Sequence, residues 1–263
     1  ASAPARPPMQ APEALRAHIE GYLAGLSLAP ELGEQRDSVR YALARGKRVR
    51  AQICLATAEA CGGTVEEALP AAAALELVQA FSLVHDDLPA LDNDAERRGQ
   101  PSVWARFGEP VAILAGDALL AEAFRQASSY DTAAVVRELA EATLGMIGGQ
   151  YLDITGGDVD LAELHRLKTG RLFAASVGLG LWAADLPEGD QGPWRAFAEE
   201  LGPLFQIVDD VLDGDGYAAQ LGDAAARGLA AQAAGRAAER LGAIDADTSV
   251  LRLLVDELAT RTA

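Results

Sequence analysis

The chain has 263 residues, 50% of them apolar, with 39 acidic against 22 basic residues and a net charge of −17. That length suits one domain, and that charge disfavours binding to nucleic acid or to an anionic membrane, since both are themselves negative. Aromatic residues make up only 5%, and the apolar half is mostly Ala and Leu, so composition predicts an all-α protein rather than a sheet.

In chain order, the Pro-rich segment 1–12 lacks the apolar core of a secretory signal, and residues 1–10 are expected to be flexible. Periodicity then predicts helices over 11–26, 32–44, 50–61 and 65–85, with Gly62-Gly63 separating the last two. A polar loop is expected over 93–106, containing Gly99 and Pro101. Long apolar-rich helices follow over 109–129, 132–154 and 161–183, punctuated by Gly156-Gly157 and by 187–192. A helix over 192–212 and two weaker Ala-rich helices complete a single-domain bundle of about ten helices spanning 1–263.

Stretches 69–84 and 110–124 are poor in charge on every face. Both helices are therefore expected to be buried, leaving room for a deep central cavity between helices. No apolar run is expected to reach membrane-spanning length. Cys54 and Cys61, two helical turns apart, are expected to be buried free thiols of a reducing compartment, which predicts a cytoplasmic protein.

The densest acidic window is His85-Asp86-Asp87-Leu88-Pro89-Ala90-Leu91-Asp92-Asn93-Asp94, directly after the apolar run 75–84. Adjacent carboxylates leaving a buried helix are costly unless something neutralises them. Pro89 cannot continue the helix, so the chain turns there and can bring Asp92 back towards Asp86. A second window, Phe205-Gln206-Ile207-Val208-Asp209-Asp210-Val211-Leu212-Asp213, places Asp209 and Asp213 four apart on one helix face. Each window alone also fits a solvated helix end. Their recurrence points to one metal-rich cavity, and magnesium takes one or two carboxylates together with substrate phosphates.

Only two of the 22 basic residues are lysines. Lys47 sits in Arg45-Gly46-Lys47-Arg48-Val49-Arg50 and Lys168 in Arg166-Leu167-Lys168-Thr169-Gly170-Arg171, while Arg97-Arg98-Gly99 follows the first acidic window. Compact cationic clusters suit diphosphate oxygens, Arg through forked donors and Lys as a point charge.

Asp86-Asp87-x-x-x-x-Asp92 with Arg97-Arg98-Gly99, and Asp209-Asp210-x-x-Asp213 further on, resembles the trans-isoprenyl diphosphate synthases, in particular bacterial farnesyl and geranylgeranyl diphosphate synthases. Gly46-Lys47-Arg48-x-Arg50, Gly148-Gly149-Gln150, Lys168-Thr169 and Phe205-Gln206 strengthen a similarity that runs over about 41–213. The resemblance implies the isoprenoid synthase fold, a homodimer, and three magnesium ions bound through the substrate diphosphate. It implies Asp86, Asp87 and Asp92 as metal ligands on one side and Asp209, Asp210 and Asp213 on the other. Arg97, Lys168, Thr169 and Gln206 would hold the allylic diphosphate, and Lys47, Arg50, Gln79 and Arg98 the isopentenyl diphosphate. Gln79 stands where many bacterial relatives have His, and its amide can still donate to a phosphate oxygen. The implied reaction is metal-assisted ionisation followed by attack of the isopentenyl double bond, with His85 a structural neighbour rather than a base.

The pattern departs from the family after Asp213, where a loop with Gly-Lys-Asp and a later Lys are usual. No lysine follows Lys168 here. Two rival readings stand beside the synthase: a class I terpene cyclase, and a non-catalytic partner subunit of a synthase. For product length, Phe81 and Ser82, one turn before Asp86, are expected to face the growing tail. An aromatic ring at 81 predicts a farnesyl product, with geranyl and geranylgeranyl diphosphate as alternatives.

Overall fold

The computed structural model describes residues 9–156, 160–214 and 216–260, so the expected flexibility of 1–10 lies outside the described residues up to position 8. The first helix, α1 (Pro12–Ala24), starts with Pro in its first turn, where the missing N–H has no partner to lose. It buries Leu15, Ile19 and Leu23, spaced four apart on one face. A 3₁₀ turn (Pro30–Leu32) leads to α2 (Gln35–Leu43). Then α3 (Val49–Cys61) begins after Arg48, whose φ is 57°, and stops at Gly62, whose φ of 94° suits a residue without a Cβ.

The central helix is α4 (Val65–Asp86). Thr64 and Glu67 form a capping box that fixes its start: the Thr64 hydroxyl accepts from the Glu67 N–H, and the Glu67 carboxylate accepts from the Thr64 N–H. It contacts α1, α2 and α3 and three helices that come later in the chain, and residues 71–75 are all buried. Contrary to expectation, this helix is long and apolar enough to cross a membrane, although 67% of the relevant window is buried against other helices.

The predicted loop over 93–106 holds more structure than its composition suggests. Strands β1 (Glu96–Arg97) and β2 (Gln100–Pro101) pair antiparallel, with Glu96 opposite Pro101. Arg98 and Gly99 turn the hairpin with φ of 54° and 72°, the double positive φ that matches strand twist. A short helix, α5 (Val103–Phe107), follows. Two-residue strands carry no readable period, which is why the sequence reads as loop.

The next helix, α6 (Glu109–Ala127), corrects the expectation of all-round burial. Its small residues Ala112, Ala115 and Gly116 face inward, while Ile113 and Leu114 are exposed, Leu114 at 56%. After it, α7 (Ala133–Thr155) likewise exposes Leu144, Ile147 and Tyr151. The predicted helix 161–183 is present with an internal change of winding. It consists of α8 (Leu161–His165), a π turn (Arg166–Gly170) in which the Arg171 N–H donates to the Arg166 carbonyl, and α9 (Arg171–Ala183).

The chain ends with α10 (Gly192–Asp213), α11 (Gly216–Leu221), α12 (Asp223–Gly242) and α13 (Ser249–Thr260). Ala226, Ala230, Ala233 and Ala237 form the buried stripe of α12, the helix most closely packed on α10. Among the described residues there are thirteen α-helices. The surplus over the expected ten comes from α5, α8 and α11, which are too short to show a period. One buried apolar cluster runs from Leu15 to Leu258. Cys54 is a buried free thiol, while Cys61 is only half-buried.

Candidate active site

Pro89 breaks the chain after α4, and the return is tight: the Asp92 N–H donates to the Asp86 carbonyl at 2.9 Å and the Asp94 N–H to the Asp87 carbonyl at 3.0 Å. Asp86 opens onto a cleft of about 1110 Å³, and Asp209, Asp210 and Asp213 of α10 line the same cleft. Burial, with help from Asp92 and against Lys168, pushes the Asp86 carboxyl up to about 6.

Asp87 goes elsewhere. Successive residues on a helix point about 100° apart, so Asp86 and Asp87 cannot share a direction. Asp87 is 2% exposed and its Oδ1 accepts from Arg97 Nε at 2.7 Å. It is expected among the metal ligands, yet its carboxylate is already neutralised by Arg97, and it does not line the large cleft. Asp92 is exposed and likewise lies off the described lining.

Asp210 lines the cleft with Asp209 and Asp213 and has partners of its own. It is 1% exposed, and its two oxygens are taken by Gln206 Nε2 at 2.8 Å and by the Tyr217 N–H at 2.9 Å. Gln206 in turn accepts from the Thr169 hydroxyl at 2.9 Å. The chain of bonds runs from the π turn through α10 to the start of α11, so Asp210 aligns Gln206 and Thr169 at the wall of the cleft that Asp209 also lines.

The π turn that carries Lys168 and Thr169 packs closely on its neighbours. A Cβ on Gly149 would stand 2.5 Å from the Lys168 nitrogen, and one on Gly202 would stand 2.5 Å from the Gly170 Cα. π turns recur at functional sites. Lys168 Nζ is ion-paired with Asp153 of α7.

The cluster 45–50 is anchored by acids that sequence reasoning missed. Arg48 pairs with Glu20 at 3.0 Å and with buried Glu76 at 3.3 Å, and Glu76 also accepts from the Ala51 N–H. Glu76 is the only charged residue in the apolar run 68–84, a sequence signal in itself, because lone buried carboxylates need partners. The clamp fixes the turn that points Lys47 and Arg50 into the cleft, where Gln79, Arg97 and Arg98 also lie.

Phe81 and Ser82 both line the cleft on its apolar side, with Met146 and Ile147 of α7. Phe81 packs edge-on against His85 at 5.1 Å. His85 fills the space left by Gly116 and its Nε2 lies 3.0 Å from the Ile113 carbonyl, which makes it a packing residue. Asp153 is a further cleft residue not singled out from the sequence; Gln150, noted there only as part of a motif, also lines the cleft, and its Oε1 acceptor is buried without a partner. Among the described residues no three His, Cys, Asp or Glu side chains converge as a ready-made metal site. An unsatisfied oxygen in the same cleft as Asp86 and Asp209 fits a hard cation that completes its shell with ligand oxygens.

Comparison with known proteins agrees with this geometry. The polyprenyl synthetase family model matches residues 34–233. A geranylgeranyl diphosphate synthase of Cyanophora paradoxa is 45% identical over 193 residues, covering 67% of this chain and 64% of the relative. A farnesyl diphosphate synthase of Bacillus subtilis (strain 168) is 38% identical over 203 residues, covering 71% and 69%. The chain thus spans a little under two thirds of the Cyanophora relative. Among solved structures, an FPP/GFPP synthase of Zymomonas mobilis superposes with a TM-score of 0.83 at 28% identity, covering 94% of this chain and 97% of that one. A geranyltransferase of Legionella pneumophila gives 0.81 at 30% identity, covering 95% and 94%. With its helical architecture, its paired aspartate windows and a family model matched over most of its length, the chain belongs to the polyprenyl synthetase family.

Proposed function

We propose that the protein is a magnesium-dependent prenyltransferase that joins isopentenyl diphosphate to dimethylallyl or geranyl diphosphate and releases a short-chain trans-polyprenyl diphosphate. The observation that carries this reading is that Asp86 and Asp209, from helices 123 residues apart in sequence, line one cleft with Lys47, Arg50 and Lys168. Both named relatives are synthases of this kind, which supports it.

Asp86, Asp92, Asp209 and Asp213 would hold magnesium, three ions per site, and bound magnesium draws charge onto the leaving diphosphate. Arg97 and Lys168 add donors to that diphosphate, and Thr169 is held ready by Gln206. Lys47, Arg50, Gln79 and Arg98 take the second diphosphate. The allylic C–O bond breaks, the isopentenyl double bond attacks the resulting cation, and a proton leaves to the released diphosphate. The apolar wall of Phe81, Met146 and Ile147 keeps water from the cation.

For the product we favour farnesyl diphosphate, because the Phe81 ring lines the cleft one turn before Asp86 and would act as a floor to the growing tail. The name of the Cyanophora relative favours a twenty-carbon product instead. Homodimerisation, through exposed Ile113 and Leu114 of α6 and Leu144 of α7, and a cytoplasmic location complete the proposal. Radiolabelled isopentenyl diphosphate, magnesium and each allylic primer, followed by product chromatography, test the reading. A linear C15 diphosphate is expected. Unlabelled cyclic hydrocarbons or alcohols formed from the primer alone would favour the terpene cyclase, and neither labelled nor primer-derived product would favour the partner subunit.

A further inference from the structure

The cations around the cleft are held in two different ways. Arg48 is tied to Glu20 and Glu76, Arg97 to Asp87, Lys168 to Asp153, and Arg98 donates to the Arg45 carbonyl. Arg50 has no ion pair or hydrogen bond of this kind among the described residues, and its Nε is buried without a partner. Its guanidinium instead lies over the Phe173 ring, 4.2 Å from the centroid, with the Phe205 ring at 5.5 Å. The two rings pack on each other at 4.6 Å. Burial lowers the Arg50 guanidinium to about 10, against the pull of Glu76 and Asp209, so it stays charged at neutral pH.

Stacking on a ring engages the face of a guanidinium, whereas all five N–H donors lie in its plane. A carboxylate partner would consume those donors; an aromatic partner leaves them unspent. Phe173 is fully buried beneath the cleft wall, while Arg50 and Phe205 reach the cleft itself.

We propose that Phe173 is a positioning residue: its ring, backed by Phe205, seats the Arg50 guanidinium with its N–H edge towards the cleft, ready for the diphosphate of the non-allylic substrate. This rests on the prenyl-transfer reading above. A ring-to-cation contact in a desolvated site sets the size of the effect. Phe173→Leu should raise the KM for isopentenyl diphosphate roughly 5- to 30-fold, about 1–2 kcal/mol, with kcat and the allylic KM changed by less than about twofold. Phe173→Tyr, which keeps a ring, should restore the KM. If Phe173→Leu fails to fold, Phe173→Met fills the same space without a ring and serves in its place. In an Arg50→Ala background Phe173→Leu should have no further effect on that KM, since the ring acts only through Arg50.

Calorimetry with inorganic pyrophosphate and EDTA gives a readout independent of turnover, and the same ordering of variants is expected. Absence of turnover by the unsubstituted enzyme with every primer would overturn the reading on which the role rests. Turnover with an unchanged isopentenyl KM, an equal rise in both KM values, or an undiminished effect in the Arg50→Ala background would overturn the role of Phe173 alone.

Discussion

Asp86 should cost the protein stability in exchange for function, and replacing it by Asn makes that exchange measurable. Its carboxyl stands at about 6 in the fold, chiefly because burial disfavours the charge, against roughly 3.9 for an unperturbed aspartate. Each unit is worth 1.36 kcal/mol, so the ionised group costs at most about 3 kcal/mol. Asp86 is half-buried rather than sealed, which reduces this to about 1.5–3 kcal/mol. The folded value lies above the unfolded one, so the cost is fully present above pH 6 and fades as the pH falls from 6 towards 4. In EDTA at pH 8, Asp86→Asn should melt about 3–12 °C higher than the native sequence, at 2–4 °C per kcal/mol for a domain of this size. At pH 5 the gain should be roughly half as large, while condensation in magnesium falls by orders of magnitude at both pH values. Differential scanning calorimetry and a radiolabel assay on the same preparations read both sides. A variant that melts at or below the native temperature at pH 8, or gains equally at pH 5, would refute the assignment of Asp86 as a desolvated carboxylate facing the cleft.

The two lysines should separate by substrate: Lys47→Ala should raise the isopentenyl KM more than the allylic KM, and Lys168→Ala the reverse, as steady-state kinetics with each substrate varied will show. Equal effects would mean that the two diphosphates are not divided between the 45–50 cluster and the π turn. Phe81→Ala should lengthen the product by at least one five-carbon unit, read by reversed-phase chromatography after dephosphorylation. An unchanged product distribution would remove Phe81 as the floor.

The long helices were legible because their signals are local: a 3.6-residue period, Pro in a first turn, Gly62 at an end, and the Thr64–Glu67 box. The aspartate windows were legible as chemistry for the same reason. What sequence could not resolve is direction. Asp86 and Asp87 are the same letter in adjacent places, yet one meets the cleft and the other is paired with Arg97, because their side chains project about 100° apart on the helix. Asp209 and Asp210 both reach the cleft, but the two oxygens of Asp210 are already taken by Gln206 and the Tyr217 N–H. The apolar stretch in α6 hid its polarity because Ala112, Ala115 and Gly116 rather than Ile113 and Leu114 face the core, small side chains letting α6 approach α4 closely. Gly149 reads as flexibility in isolation, and only the contact with the Lys168 backbone shows that it makes room for the π turn.

The central claim is that two aspartate-bearing helix ends act on one diphosphate in one cleft. It is tested most directly by radiolabelled isopentenyl diphosphate incorporated with a geranyl primer, in EDTA and after magnesium is restored, for the native sequence, Asp86→Ala and Asp209→Ala. Incorporation should vanish in EDTA, return with magnesium, and fall by orders of magnitude in both variants while their helical circular dichroism stays intact. Full incorporation by either variant, or by the native enzyme in EDTA, would contradict it.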